Sequence, residues 1–355
     1  MSTQNQKRKV GITLGDVSGI GPEIILKTFS DELIYKHFTP ILFGNPRVLS
    51  YYKKMLNIER FQYTTIKNYA TLSHNSLNVF PVWEEEFVIV PGNPSETTGL
   101  YALKSLEAAC EALKNKQIDV LVTAPINKHV MHSDKFPYAG HTEYLMQFFG
   151  AKENLMFMVS DDLRIGLVTN HTAIKDVASS ISKEKIIRKL QLMNTSLKED
   201  FGIDKPRIAV LALNPHAGDG GVIGAEEQTI IFPAVQEAKN QNILAFGPYP
   251  SDGFFANGNH KKFDAILAMY HDQGLIPFKY IAAEDGTNFT AGLEVVRTSP
   301  DHGTAEDIAG KGIADETSFR KAIYTAIDIS NQRISYAEMR ENPLVKRAVL
   351  HDERI

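Results

Sequence analysis

The sequence predicts an α/β protein whose two lobes share one sheet. Short apolar runs recur along the chain, and amphipathic stretches of helical length lie between several of them. No low-complexity linker divides the chain. A chain of 355 residues, 43% of them hydrophobic, is long enough to bury a core of this size. Two lobes joined by a continuous sheet explain the missing linker better than domains on a tether.

The predicted elements alternate along the chain. Six apolar runs are predicted to be buried strands: Lys9–Leu14, Pro40–Phe43, Asp119–Thr123, Arg164–Thr169, Arg207–Leu213 and Phe263–Met269. Two amphipathic stretches are predicted helices: Ser95–Lys116 and Ser182–Leu197, the second with Ser182 as its N-cap. The glycine turn 15–21 precedes Pro22, which suits the first turn of a helix. That turn either approaches a ligand through its glycines or is purely structural, and the sequence leaves both open.

The bulk properties exclude several classes of protein. A net charge of −4 and a pI near 6.3 leave no basic face for nucleic acid. The single cysteine, Cys110, cannot form an internal disulfide, and it lies at helical spacing from Leu106 and Leu113, as a core side chain would. No apolar run has the length of a membrane helix or the plan of a signal peptide. We therefore expect a soluble cytoplasmic protein without a membrane or nucleic-acid partner.

Three histidines follow three of the predicted strands. His171 comes after Arg164–Thr169, His216 after Arg207–Leu213, and His271 directly after the run that ends at Tyr270. Ligands of open α/β sheets bind beyond the carboxyl ends of parallel strands, so the three imidazoles could converge on one divalent metal ion. The alternative is that each histidine independently caps a loop.

One long segment carries a resemblance to a known superfamily. Residues 299–316, SPDHGTAEDIAGKGIADE, resemble the adenosine-binding segment of the isopropylmalate and isocitrate dehydrogenases. The resemblance implies a two-lobed α/β/α sandwich of the isopropylmalate dehydrogenase type. It also implies that the loop His302, Gly303 and Thr304 wraps the adenine and ribose, with Asp307 on the ribose hydroxyls. A carboxylate there would repel a 2′-phosphate, so NAD is expected rather than NADP. The glycines of turn 15–21 lack the G-x-G-x-x-G spacing of a Rossmann fingerprint.

Five further motifs narrow the resemblance. They are GHTEY at 140–144, TNH at 169–171, NPHAGDGG at 214–221, YHDQGLIPFK at 270–279 and NFTAGLEVVRTSPDHGTA at 288–305. With them, nearly the whole chain is similar to the 4-hydroxythreonine-4-phosphate dehydrogenase family. The family's metal ligands fall on His171, His216 and His271. Its substrate contacts fall on His141, Thr142, Lys279, Asn288 and Arg297.

The resemblance implies a specific reaction. It is the NAD-linked, metal-dependent oxidation of the C3 hydroxyl of 4-phosphooxy-L-threonine, in pyridoxal phosphate biosynthesis. The β-keto acid so formed loses carbon dioxide to give 3-amino-2-oxopropyl phosphate. One zinc, magnesium or cobalt ion per site is implied. The general base is not assigned, with Asp252 and Asp272 as candidates, and Asp16, Asn127 and Lys128 are weaker candidates for lining the cleft.

The resemblance also implies a homodimer with shared active sites. His171 and His216 would come from one subunit and His271 from the other. Residues 9–130 and 280–340 are expected to form the lobe on the cofactor side. Residues 131–279 would form the lobe for metal, substrate and dimerisation.

Other functions fit parts of the sequence. A dehydrogenase of phosphorylated threonate or erythronate, in sugar-acid catabolism, would keep the same metal and phosphate residues. An acyltransferase of the phosphotransacetylase type would have a related architecture but would need neither the three histidines nor the HGTAEDIAG segment. A metal-stabilised binding protein without catalysis would reduce no NAD with any hydroxy acid.

Overall fold

A computed structural model describes residues 7–282 and 285–341. Its centre is a mixed sheet of twelve strands in the order β3-β4-β2-β1-β5-β12-β11-β6-β7-β10-β8-β9. The strands are β1 (Arg8–Thr13), β2 (Phe38–Gly44), β3 (Tyr63–Thr65), β4 (Leu77–Pro81), β5 (Val120–Thr123), β6 (Leu155–Val159), β7 (Arg164–Leu167), β8 (Arg207–Leu211), β9 (Leu244–Tyr249), β10 (Ala265–Ala268), β11 (Thr287–Ala291) and β12 (Arg297–Pro300).

The strand direction reverses in the middle of the sheet. From β3 to β12 all neighbours pair in parallel, and so do β7, β10, β8 and β9. Between these two blocks, the pairings β12–β11, β11–β6 and β6–β7 are antiparallel. The strands that precede the three histidines, β7, β10 and β8, are thus parallel neighbours in the second block.

Helices cover both faces of the sheet. They are α1 (Gly21–Phe29), α2 (Pro46–Met55), α3 (Glu96–Lys114), α4 (Lys128–Met131), α5 (His141–Phe148), α6 (Ile174–Val177), α7 (Lys183–Glu199), α8 (Phe232–Asn240), α9 (Ser251–Ala256), α10 (His271–Ile281) and α11 (Thr317–Glu341). Successive strand residues face opposite sides, as β geometry requires. Leu42 packs into the core under α1, α7 and α11, whereas Ile41 and Phe43 pack under α3.

The core is continuous on one face and divided on the other. The first face has a single apolar cluster that includes Ile12 of β1 and Leu267 of β10, near opposite ends of the sheet. The second face has one cluster under α3 and another under α10, which contains Leu275 and Phe278. This arrangement confirms the predicted α/β/α sandwich with a shared sheet. The proposed lobe boundaries stay a prediction, although Met131 and Phe136 already pack in the cluster under α3.

All six predicted strands are confirmed, with ends shifted by a few residues. Both predicted helices are present as α3 and α7, and Ser95 and Ser182 cap them through bonds from the backbone N–H groups of Thr98 and Lys185. Cys110 is buried in the cluster under α3, as expected. Six strands were not predicted: β3, β4, β6, β9, β11 and β12. No helix of the described chain combines the length and apolarity that crossing a bilayer requires.

The glycine turn before α1 supports another loop. A Cβ atom added to Gly19 would lie 2.9 Å from the carbonyl oxygen of Thr304, so only glycine allows this approach. The backbone N–H of Ile20 donates to the same oxygen at 2.9 Å. On α1, buried Glu23 accepts from the N–H of Ala314 at 2.9 Å. The turn and helix therefore hold the two ends of the segment that contains residues 304–314.

Candidate active site

A cavity of about 460 Å³ lies where the two halves of the sheet meet. Its floor is formed by alternate residues of the central strands, among them Met156 and Met158 of β6 and Arg297 and Ser299 of β12. Its walls come from the end of β5 and from the segments that follow β7 and β10. A cavity of this size is typical of small-molecule sites.

Arg297 is a buried guanidinium without a carboxylate partner. Only 3% of the residue is exposed, and no described carboxylate lies within 4.0 Å of it. Its Nε donates to Oγ1 of Thr123 at 3.1 Å and its Nη1 to Oγ1 of Thr290 at 3.2 Å. Burial lowers the pKa of Arg297 to about 10, which still leaves it charged at neutral pH. A fixed, buried cation facing a cavity is a receptor for an anionic group.

Two more polar atoms at this cavity lack partners. Nε2 of His141 and Oδ1 of Asn288 are both buried and make no hydrogen bond among the described residues. Burial, together with the charges of Arg297 and Lys128, holds the pKa of His141 well below its usual range. The imidazole is therefore neutral at physiological pH and can donate or accept one hydrogen bond. We call His141, Asn288 and Arg297 the anion side of the cavity.

The other predicted substrate residues also line the cavity. Thr142 lies in the first turn of α5, and Lys279 lies in the last turn of α10. Thr142 does not cap α5, because the helix begins after Gly140 and has no side-chain cap. Nζ of Lys279 donates to the backbone oxygen of Asp301 at 3.1 Å, and half of the side chain is exposed. Lys279 is thus a half-exposed charge at the rim, next to the carboxylate of Asp301, whereas Arg297 is buried.

His171 and His271 meet at the opposite wall. Their ring centroids are 5.8 Å apart within one chain. Nδ1 of His271 lies 2.7 Å from Oδ1 of Asp272, which leaves Nε2 free for a ligand. Burial, with the nearby charge of Lys128, lowers the pKa of His171, so this ring is also neutral at physiological pH. We call His171 and His271 the histidine side.

His216 lies outside this cavity. It is exposed in the segment Pro215–Gly221, where its φ of 54° and that of Ala217, 52°, are left-handed. The base of this loop is held by buried Glu227, which accepts from the N–H groups of Leu213 and Asn214 at 2.8 and 2.7 Å. In residues 7–282 and 285–341, no three histidine, cysteine or acidic side chains come together as a metal site. The structure thus brings together two of the three predicted metal ligands, His171 and His271, and leaves His216 apart from them.

The predicted cofactor loop borders the cavity. His302 and Gly303 line it, and Nε2 of His302 is buried without a partner. Thr304 is buried behind the loop, and Asp307 is exposed in a turn, with no hydrogen bond to its carboxylate among the described residues. The loop therefore has one unpaired ring nitrogen, Nε2 of His302, and one exposed carboxylate that a ligand could contact.

Some candidates lie elsewhere, and some were missed. Asp252 is exposed on α9 and does not line the cavity, whereas Asp272 does. Buried Asp16 accepts from the backbone and hydroxyl of Ser18 in the glycine turn. Lys128 lines the cavity. Glu143 also lines it, but the GHTEY motif drew attention to its histidine and threonine instead.

Comparisons with known proteins identify the family of this chain. Residues 36–326 match the family model of the pyridoxal phosphate biosynthetic protein PdxA. The chain belongs to this family. It is 48% identical over 345 residues to a 4-hydroxythreonine-4-phosphate dehydrogenase of Bacteroides thetaiotaomicron, which covers 97% of this chain and 94% of the relative. These matches confirm the predicted family and its classification as a dehydrogenase.

Two other relatives bear on fold and substrate. A crystal structure of 4-hydroxythreonine-4-phosphate dehydrogenase from Klebsiella pneumoniae superposes with a TM-score of 0.79 at 31% identity, covering 91% of this chain and all of that one. A protein of Oceanobacillus iheyensis, provisionally named a D-threonate 4-phosphate dehydrogenase, is 35% identical and covers 92% of this chain and 99% of its own. The family therefore includes relatives named for two substrates.

Proposed function

We propose that the protein is an NAD-linked, metal-dependent 4-hydroxythreonine-4-phosphate dehydrogenase. It oxidises the C3 hydroxyl of 4-phosphooxy-L-threonine, and the β-keto acid product loses carbon dioxide to give 3-amino-2-oxopropyl phosphate. The observation that carries this proposal is the buried, carboxylate-free guanidinium of Arg297 in a cavity shared with two paired histidines. An anionic group of the substrate would pair with the guanidinium, and a divalent ion would bind the two histidines.

The anion side binds and orients the substrate. Two threonine hydroxyls fix the guanidinium plane of Arg297, so it presents its remaining N–H groups in one direction. Phosphate or carboxylate oxygens accept such bonds in pairs. Neutral His141 and the side chain of Asn288 complete the polar lining. Lys279 adds a positive charge at the rim, where its side chain can contact the substrate as it enters.

The histidine side holds the metal. We assign His171 and His271 as ligands, with Asp272 orienting His271, and His216 as the third ligand supplied by its exposed loop. Neutral imidazoles leave the ion's charge unneutralised. A bound ion would supply Lewis acidity toward the substrate hydroxyl, and NAD would serve as the hydride acceptor. Of the zinc, magnesium and cobalt ions that the resemblance implies, zinc and cobalt suit a site of imidazoles with open positions better, because magnesium prefers oxygen ligands.

The cofactor loop favours NAD over NADP. The free carboxylate of Asp307 can accept hydrogen bonds from both ribose hydroxyls, whereas a 2′-phosphate would meet a like charge. The unpaired Nε2 of His302 faces the ligand on the same loop. These two groups support the assignment of His302, Gly303, Thr304 and Asp307 to the dinucleotide.

The cavity's carboxylates favour an amino acid over a sugar acid. Glu143 and Asp272 line the cavity, and neither forms an ion pair with a lysine or arginine in the described chain. The C2 ammonium of 4-phosphooxy-L-threonine would be attracted to them, and the C2 hydroxyl of threonate 4-phosphate would not. This charge balance is our reason for preferring the first substrate to the one named for the Oceanobacillus iheyensis relative.

A second copy of the chain is the expected partner. Large apolar side chains around the histidine loops are exposed, including Val222 at 84% and Tyr280 at 89%. Both lie within ten residues of a histidine assigned to the metal, and so does Ile276. A homodimer that covers these side chains would also bring two sets of histidine loops together.

The test is a substrate and cofactor screen. Metal-reconstituted protein should form NADH with 4-phosphooxy-L-threonine at a kcat/KM at least about tenfold above that with D-threonate 4-phosphate or erythronate 4-phosphate. The variant Glu143→Gln should lower the ratio of kcat/KM for 4-phosphooxy-L-threonine to kcat/KM for the two sugar-acid phosphates. NADP should be a poor substitute for NAD. A higher kcat/KM with D-threonate 4-phosphate would assign the protein to the sugar-acid reaction, and equal use of the two cofactors would remove Asp307 from the ribose.

A further inference from the structure

Glu306 connects two segments that are far apart in sequence. Its Oε1 accepts a hydrogen bond from Oγ1 of Thr304 at 2.7 Å and another from Nδ2 of Asn127, also at 2.7 Å. Thr304 belongs to the proposed cofactor loop, and Asn127 follows β5. Burial raises the pKa of Glu306, but the two donated hydrogen bonds outweigh it, so the net pKa is lowered. The carboxylate is therefore charged at neutral pH.

Asn127 links Glu306 to the helix whose first residue lines the substrate cavity. Its Oδ1 accepts from the backbone N–H groups of His129 and Val130 at 3.0 and 3.3 Å, which caps α4. The first residue of α4 is Lys128, which lines the cavity. A continuous set of side-chain hydrogen bonds thus runs from the cofactor loop to the start of the helix that carries Lys128.

The cofactor loop does not need Glu306 to keep its backbone in place. The carbonyl of Thr304 already accepts from Ile20, and Gly19 packs against it. Further along the segment, the N–H of Ala314 is held by Glu23. The bonds of Glu306 act between the loop and α4, where the described residues show no other side-chain hydrogen bond. This points to a role in coordinating the two segments.

We propose that Glu306 is a positioning residue that couples the cofactor loop to the Lys128 wall of the substrate cavity. Through this coupling, a bound dinucleotide increases the affinity for the substrate, and the substrate increases the affinity for the dinucleotide by the same factor. The inference rests on the proposed function for the identity of the two ligands. It assigns a role to a side chain outside the predicted set of loop residues.

The pair Asn127 and Glu306 allows an exchange experiment. Asn127→Asp keeps an acceptor that caps α4 but places two carboxylates against each other. Adding Glu306→Gln restores a donor, because the new amide can donate to the aspartate and still accept from Thr304. NADH affinity, measured by NADH fluorescence with and without 4-phosphooxy-L-threonine, reports on both ligands without turnover. Glu85→Gln, which alters a carboxylate paired with Lys104 outside the proposed binding segments, is the matched control.

The expected results are specific to the coupling. Asn127→Asp should weaken NADH binding about tenfold and reduce the factor by which the substrate tightens it, whereas the double variant should recover both to within about twofold of wild type. The control should match wild type. A double variant as weak as Asn127→Asp, or an unchanged NADH affinity in Asn127→Asp, would overturn the role of Glu306. Wild-type protein that does not bind NADH would overturn the proposed function, and this inference with it.

Discussion

The two walls of the cavity differ in how completely one chain builds them. The anion side is built on central strands and on α5, and Arg297 is fixed there by bonds to threonine hydroxyls. The histidine side lies on segments that follow β7 and β10, and its third predicted ligand is on an exposed loop outside the cavity. The anion side is therefore complete within one chain, whereas the histidine side lacks its third predicted ligand.

This difference reflects how each wall gains its stability. Arg297 and Asn288 are held by strands with neighbours on both sides, so folding of the sheet fixes them. His216 is the first of six consecutive residues with positive φ, 216–221, and three of these six are glycine. Glu227 holds the base of this loop, and in the proposed enzyme a metal ion or a second chain would contact its exposed part.

The largest effect expected is loss of turnover on the histidine side. His171→Ala, His216→Ala and His271→Ala should each abolish turnover while the protein stays folded, because each removes one of three ligands. Refolding two variants together should restore about one quarter of wild-type activity when the two lesions fall in one shared site, since half of the dimers are mixed and each has one intact site. Metal content and NADH formation are the measurements.

The choice of pairs identifies the ligand that crosses the interface. If His271 comes from the second subunit, as the family resemblance implies, His171→Ala mixed with His271→Ala recovers activity, and His171→Ala mixed with His216→Ala does not. If instead His216 crosses, as its place outside the cavity favours, the two results are reversed. No recovery in either mixture, with mixed dimers verified by differential tags, would mean that one chain supplies all three.

A smaller effect is expected on the anion side. Arg297→Lys keeps the charge but loses the paired donors, so kcat/KM should fall by about 1.5–3 kcal/mol in transition-state stabilisation, or roughly tenfold to 150-fold. Arg207→Lys, at the exposed start of β8, is the matched control and should behave as wild type. An unchanged kcat/KM in Arg297→Lys would remove this residue from the anion site.

The smallest effect concerns pH and the buried imidazole of His141. Its folded-state pKa is lowered, mainly by burial, so below about pH 6.5 the unfolded chain binds a proton that the folded chain does not. This contribution to the free energy of unfolding is lost as the pH falls. The stability of wild type relative to His141→Gln should therefore decrease between pH 7.5 and 5.5 in urea unfolding without substrate. Parallel pH profiles would show that His141 is not held neutral.

Six of the twelve strands could be predicted from sequence, and all five predicted substrate residues line one cavity. The runs before His171, His216 and His271 are apolar over four or more residues, and they became adjacent parallel strands. The strands β11 and β12 were missed because their residues mix polar and apolar types, as in TNFTA and RTSP. These strands are central, and their side chains Asn288, Arg297 and Ser299 line the cavity.

Two features could not be predicted for physical reasons. The path of the loop that carries His216 depends on residues with left-handed backbone conformations, including Ala217. An alanine in the sequence does not indicate that conformation. Glu306 looks like an ordinary acidic residue of a turn, and its partner Asn127 is 179 positions away. Both depend on how distant segments meet, which local patterns do not encode.

The reversal of strand direction at the centre of the sheet limits how the cleft can move. The antiparallel pairings β12–β11, β11–β6 and β6–β7 join the two halves by unbroken backbone hydrogen bonds. A change in the width of the cleft must therefore bend and twist the sheet, because these paired strands connect the two halves. The elastic stiffness of the sheet then sets how far the cleft can close. We expect the cleft to open and close through small elastic deformations that are spread over many residues.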